Sequence, residues 1–344
     1  MQTFRAIALL AVAVAHTADA QWTYVISGTD AELRGLSAVS QNVVWASGAR
    51  GTVVRSANGG RTWSADTVRG AAALDLRSVH ALNDGAAFLA SAGEAEKGLA
   101  KIFATGDAGR HWNLAYSTNQ RGVFLDAIAF WDVRHGIALS DPVDGVFYVV
   151  VTGDAGRTWT RIAPSLLPPV LSGEAAFAAS GSCLVVRGTS DVWIGTGGGG
   201  RARVLHSADR GRTWSVTEAP VHADGSAAGI FSLTFFDTKR GVAVGGDYTK
   251  PRFPARSVAL TFDGGRSWYP AKSPPAAYLS GASFAGSPRL VVAVGLSGTF
   301  VSRDSGQTWV QTDTIAMNSV RFSGRAGFTV GPRGRVAYTD SITQ

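Results

Sequence analysis

The chain has 344 residues, 45% of them hydrophobic and only 17% charged, with 42 Gly and 10 Trp, which excludes a disordered chain and fits many short strands joined by tight turns. Its single cysteine, Cys183, stands in the apolar run 183–186, so a disulfide-stapled fold is excluded and a buried structural thiol is expected. The net charge of +7 is carried almost wholly by arginine, whose planar fork suits carboxylates and phosphates. This points to an acidic partner or to a solvated Gly-rich surface, while the scatter of basic residues disfavours nucleic acid.

Residues 1–20 read as a secretory leader, with Arg5 supplying positive charge, Ile7 to Val14 an apolar run, and Ala18-Asp19-Ala20 a cleavage site. A periplasmic or secreted chain beginning at Gln21 is expected. No later stretch approaches the roughly 18 apolar residues of a membrane-spanning helix.

From there the chain is a repeat. Six segments align without gaps on eight residues: Ser56–Trp63, Thr105–Trp112, Thr152–Trp159, Ser207–Trp214, Thr261–Trp268 and Ser302–Trp309, their tryptophans 41 to 55 residues apart. That period suits a four-stranded blade. Before each motif lies a strand-like run such as 146–150 or 298–301. Earlier still come two apolar runs around a polar turn, as in 76–92 about Asn83-Asp84-Gly85. Each blade is therefore three strands, a motif turn and a fourth strand beginning at the Trp. A seventh copy is split: the C-terminal stretch from Met317 has three strands and no following Trp, and Gln21–Ile26 supplies the missing one. Joining them closes a ring and removes two sheet edges. The expected fold is all-β: residues 21–344 as a single seven-bladed β-propeller of four-stranded antiparallel blades.

In each motif the Ser or Thr and the Asp (Asp107, Asp154, Asp209, Asp263, Asp304, with Asn58 in the first copy) are placed to accept backbone N–H bonds, the Gly to take a positive φ, and the Trp (Trp63, Trp112, Trp159, Trp214, Trp268, Trp309) to bury its ring. One carboxylate per blade cannot converge on one ion, so these residues are structural.

The pattern S/T-x-D-x-G-x-T/S-W at this spacing resembles the Asp-box, or BNR, repeat of sialidases, other glycoside hydrolases and photosystem II assembly and stability factors. The uniform blades, leader and arginine excess look most like the assembly-factor group, which implies a protein-binding role without catalysis. Sialidase residues cannot be placed: Arg252-Phe253-Pro254 falls in the fifth repeat, and Glu174, the one Glu close before an expected inner strand, has no Tyr beside it.

Two functional readings follow. Loops between second and third strands should gather on the face opposite the motif turns. They bring Lys97, Arg201, Arg203, Lys250, Arg252, Arg256 and Arg333 to one rim, a basic recognition surface for a protein or complex. The alternative is a carbohydrate-active hydrolase using Asp141, Asp144 and Asp247 from the same loops, against which Asp141-Pro142 and Asp144-Gly145 read as plain turns. Trp45, Trp131 and Trp193 lie outside the motif series and are expected in the core, with Trp131 the candidate for exposure. His80, His111, His135, His206 and His222 share no metal-ligand spacing, the 197–200 glycine run lacks a phosphate-loop ending, and no cofactor is expected.

Overall fold

Five of the seven inner strands share one five-residue rhythm: a large apolar residue, a polar or aromatic one, a small one, an apolar one, and a polar one. Leu33-Arg34-Gly35-Leu36-Ser37, Leu76-Arg77-Ser78-Val79-His80 and Met317-Asn318-Ser319-Val320-Arg321 are examples. In the computed structural model, which describes residues 22–253 and 256–342, this rhythm wraps the axis of a seven-bladed propeller. The leader at 1–20, Gln21 and Pro254 lie outside the described residues.

Each blade is a four-stranded antiparallel sheet in chain order. The first holds β2 (Leu33–Ala38), β3 (Val44–Gly48), β4 (Thr52–Ser56) and β5 (Ser64–Thr67), and the second β6 (Asp75–Ala81), β7 (Ala87–Ala92), β8 (Lys101–Thr105) and β9 (Asn113–Ser117). The third holds β10 (Leu125–Phe130), β11 (Gly136–Val143), β12 (Val146–Thr152) and β13 (Thr160–Arg161), and the fourth β14 (Leu184–Arg187), β15 (Asp191–Gly195), β16 (Ala202–Ser207) and β17 (Ser215–Ala219). The fifth holds β18 (Ala228–Phe235), β19 (Gly241–Asp247), β20 (Val258–Thr261) and β21 (Tyr269–Pro270), and the sixth β22 (Gly281–Phe284), β23 (Val291–Gly295), β24 (Gly298–Ser302) and β25 (Val310–Asp313). The seventh joins β26 (Ser319–Ser323), β27 (Ala326–Val330) and β28 (Val336–Thr339) to β1 (Thr23–Val25), with Tyr24 opposite Ala337. The N-terminal strand thus closes the ring, as the split repeat requires.

The motif turns fold alike. Thr152 Oγ1 accepts the Gly156 N–H at 2.9 Å and donates to Asp154 Oδ1 at 2.9 Å. Asp154 accepts the Thr158 hydroxyl at 2.7 Å and the Thr158 N–H at 2.9 Å. Those two bonds, led by the hydroxyl, hold its carboxyl down at about 2. Asn58 does the same work, accepting the Thr62 N–H at 2.9 Å. Three details differ from expectation. The left-handed stretch covers two residues, as in Ala155 (φ 64°) and Gly156 (φ 76°). The fourth strand starts one residue after the Trp. Trp268 is buried, but Trp63, Trp112, Trp159, Trp214 and Trp309 are half-buried, because their rings lie at the seam between blades.

The motif Gly has a packing duty there as well. A Cβ on Gly156 would sit 2.4 Å from the Phe88 ring of the preceding blade, and one on Gly109 would sit 3.1 Å from Trp45. Trp45 and Trp193 are fully buried at such seams. Trp131 is half-buried, its indole N–H donating to the Asp191 carbonyl at 2.8 Å. Cys183 is buried in the seam between the third and fourth blades. Removing the buried Thr152 hydroxyl by Thr152→Val orphans the Gly156 N–H. We expect a loss of about 1–3 kcal/mol, read as a lower urea midpoint at unchanged slope.

Small residues close the waist of the ring. Ser182 Oγ donates to Ser232 Oγ at 2.8 Å, Ser232 Oγ accepts the Ala282 N–H at 3.1 Å, and Ser78 Oγ accepts the Ile128 N–H at 3.1 Å. A Cβ on Gly181 would stand 2.5 Å from Ser78 Oγ. The belt separates two axial cavities with no common lining residue. No described helix is long and apolar enough to cross a membrane.

Candidate functional site

Motif turns and the turns between first and second strands occupy one face, tied by bonds such as Ala155 N–H to the Arg134 carbonyl at 2.9 Å and Gly264 N–H to the Lys239 carbonyl at 2.9 Å. The loops between second and third strands therefore gather on the other face, around the wider cavity of about 500 Å³.

Four inner strands build the mouth of that cavity by the same device. Register shifts fall between Leu33 and Gly35, Asp75 and Ser78, Leu125 and Ala127, and Ile230 and Ser232. Such bulges re-aim the unpaired side chain, and here they present Arg34, Arg77, Asp126 and Phe231 to the cavity. Phe177 stacks on Phe231 at 4.0 Å between centroids, and Tyr278 meets Phe231 edge-on at 4.7 Å. With Tyr248 they form an aromatic wall.

Opposite it stand two guanidiniums. Arg34 Nη2 donates to Glu32 at 2.6 Å, and Arg77 Nε donates to Asp75 at 2.6 Å, which leaves both Nη groups of Arg77 at the cavity. Beside Arg77, on the next blade, sits Asp126, 1% exposed, with Oδ2 unpartnered. Burial first, then the Asp141 charge, pushes the Asp126 carboxyl well above the carboxylate range, Arg77 offsetting part of this. Asp141 is pushed up to about 6 by burial, against a bond from the Ala176 N–H at 3.1 Å. The mouth thus offers two cations and the Asp141 carboxyl, backed by Asp126, whose burial favours its protonated form.

The residues singled out in the sequence are distributed differently. Lys97 ends a short 3₁₀ turn and pairs with Glu94 at 2.8 Å, and Arg201 pairs with Glu218 at 2.5 Å, both in solvent. Arg252, Arg256 and Arg333 are exposed. Lys250 reaches Asp247 at 3.4 Å. Arg203 is turned inward: its Nε donates to Glu174 at 2.9 Å, its Nη2 to Glu174 Oε2 and to the Pro169 carbonyl. Its guanidinium is therefore committed within the fold.

Of the three loop carboxylates, only Asp141 lines the cavity. Asp144 is an exposed turn residue at φ 56°. Asp247 accepts the Thr249 hydroxyl at 2.6 Å and N–H at 2.9 Å. Although burial works to raise its carboxyl, those bonds and Lys250 hold it below the usual range. Arg34, Arg77 and Asp126 are not evident from the pattern alone; their signal is a charged residue directly after the buried leucine that opens each of these inner-strand stretches. Among the described residues no His/Cys/Asp/Glu cluster is arranged to hold a metal ion.

Among solved structures the chain is similar to one titled "YCF48 bound to D1 peptide", at a TM-score of 0.66 and 16% identity, covering 97% of this chain and 100% of that one. It is also similar to YCF48 from Cyanidioschyzon merolae, at a TM-score of 0.65 and 16% identity, covering 92% and 98%. At such identity the likeness establishes the fold. No protein-family model matches the sequence, and no curated protein does.

Proposed function

We propose that this chain is an exported, non-catalytic propeller that captures a segment of a protein partner at the axial mouth and assists assembly or stability of the complex it joins. The observation that carries this reading is the 500 Å³ cavity in which Arg34 and Arg77 face the Phe177, Phe231, Tyr248 and Tyr278 wall. Guanidiniums recognise carboxylates through paired, charge-assisted bonds, and aromatic walls supply apolar area with little loss of rotamer freedom. An extended segment carrying an acidic group beside an apolar side chain matches both. Exposed Lys97, Arg201, Lys250, Arg252, Arg256 and Arg333 surround the mouth and would steer such a segment toward it. A YCF48 structure of this fold is titled as bound to a D1 peptide, which supports an assembly-factor role. Export rests on the leader at 1–20.

A hydrolase remains the second reading because Asp126 and Asp141 share one cavity with unequally raised carboxyls, the pattern of an acid and base pair. Against it, Asp126 is too buried to touch a sugar.

Capture of partners from the native cell envelope by residues 21–344, alongside a glycan hydrolysis panel, separates the readings. Arg34→Glu with Arg77→Glu should abolish capture of a stoichiometric protein with circular dichroism unchanged. Sugar release abolished by Asp141→Asn would establish the hydrolase instead.

A further inference from the structure

The second axial cavity, about 260 Å³, opens on the motif face and is formed by the far ends of the inner strands. Its lining holds no carboxylate but two arginines, Arg187 of β14 and Arg321 of β26, with His80 of β6 and the hydroxyls of Ser37, Thr234 and Ser283. Arg187 Nε donates to the Phe235 carbonyl at 2.7 Å, and Arg321 Nη1 donates to the Val320 carbonyl at 3.1 Å. Among the described residues neither has an ion-pair partner. Asp237, whose charge bears on Arg187, is taken by Arg240 at 2.5 and 2.8 Å.

A guanidinium without a counter-charge beside a second cation is costly: Arg321 loses water and feels Arg187, which stands at the exposed rim of the cavity. Burial and then the Arg187 charge bring Arg321 down to about 10, and burial and then the Arg321 charge bring His80 down to about 4. His80 is thus neutral near pH 7 and adds a ring nitrogen rather than a third cation. Nothing in the propeller fold requires this arrangement, since the position of Arg321 is taken by Ser37 in the first blade and Ala129 in the third, and that of Arg187 by Val39 and Trp131.

We infer that this cavity is a binding site for a small oxyanion, phosphate or carboxylate, held between Arg187 and Arg321. Each guanidinium retains N–H donors beyond its carbonyl bond, and two forks from opposite sides suit an anion with three or four oxygens. At roughly 30 Å³ per water the cavity has room for such an anion with several waters. The waist keeps this site apart from the segment-binding mouth, so the two should bind independently.

Titration calorimetry of residues 21–344 with inorganic phosphate, and separately with succinate, against a chloride control of equal ionic strength tests this. Saturable binding of either anion is expected, weakened at least about tenfold by Arg321→Gln. Arg187→Gln, at the exposed rim, serves as a second variant should Arg321→Gln fail to fold, and should leave partner capture at the other face unchanged. Absence of saturable binding by both anions, or binding unaltered by the folded variants, would overturn the assignment.

Discussion

Arg203→Met is expected to destabilise the protein by about 3–5 kcal/mol, because it strands a buried charge. Glu174 has no exposed side-chain surface. It accepts the Leu171 N–H at 2.8 Å, the Thr196 hydroxyl at 2.6 Å and Arg203, and so fastens the long connection before β14 to the β15–β16 loop. Arg201 lies two residues away but pairs with Glu218 in solvent, so Arg201→Met should cost no more than about 1 kcal/mol. Urea midpoints of the two variants make the comparison directly. Adding Glu174→Leu to Arg203→Met should recover much of the loss, since the orphaned carboxylate is gone. Equal midpoints for the two single variants would mean that Glu174 is not buried as described.

Stability should fall as pH rises from about 4 to about 6.5, by on the order of 2–3 kcal/mol from Asp141 alone. The folded carboxyl titrates near 6 because of burial, whereas an unfolded one titrates near 3.9. The native state therefore holds the proton more tightly. Its contribution is complete below the unfolded value and is lost as pH rises through 6. Asp126, also raised by burial, acts in the same direction. Asp154 has the opposite sign: its stability is present above the unfolded value and lost as pH falls toward 2. Asp141→Asn keeps an acceptor for the Ala176 N–H, so the variant should gain on the parent steadily between pH 4 and 6.5. A constant difference across that range would show that Asp141 titrates normally.

Blade number, ring closure and the opposition of the two faces were legible because each rests on strict repetition. Eight motif residues with Trp recurring at blade spacing leave little freedom, and Trp22 completes the series. The mouth was less legible. Strand alternation assigns side chains to faces two by two, but a bulge at Arg34, Arg77, Asp126 and Phe231 breaks that alternation. Loop position put Arg203 on the rim, yet only packing reveals that its fork turns down to Glu174. Loop position alone makes Asp247 and Asp144 candidate catalytic groups, while Asp247 is bonded locally to Thr249 and Asp144 forms a left-handed turn.

The most direct test of the central claim compares two side chains of equal exposure on opposite faces. Tyr248 at the mouth and Phe262 in a motif turn are each 49% exposed. A photoreactive benzophenone side chain placed at Tyr248 should cross-link the captured partner through one defined segment, and the same group at Phe262 should not. Cross-linking from Phe262 with none from Tyr248 would contradict the assignment of the mouth as the binding site.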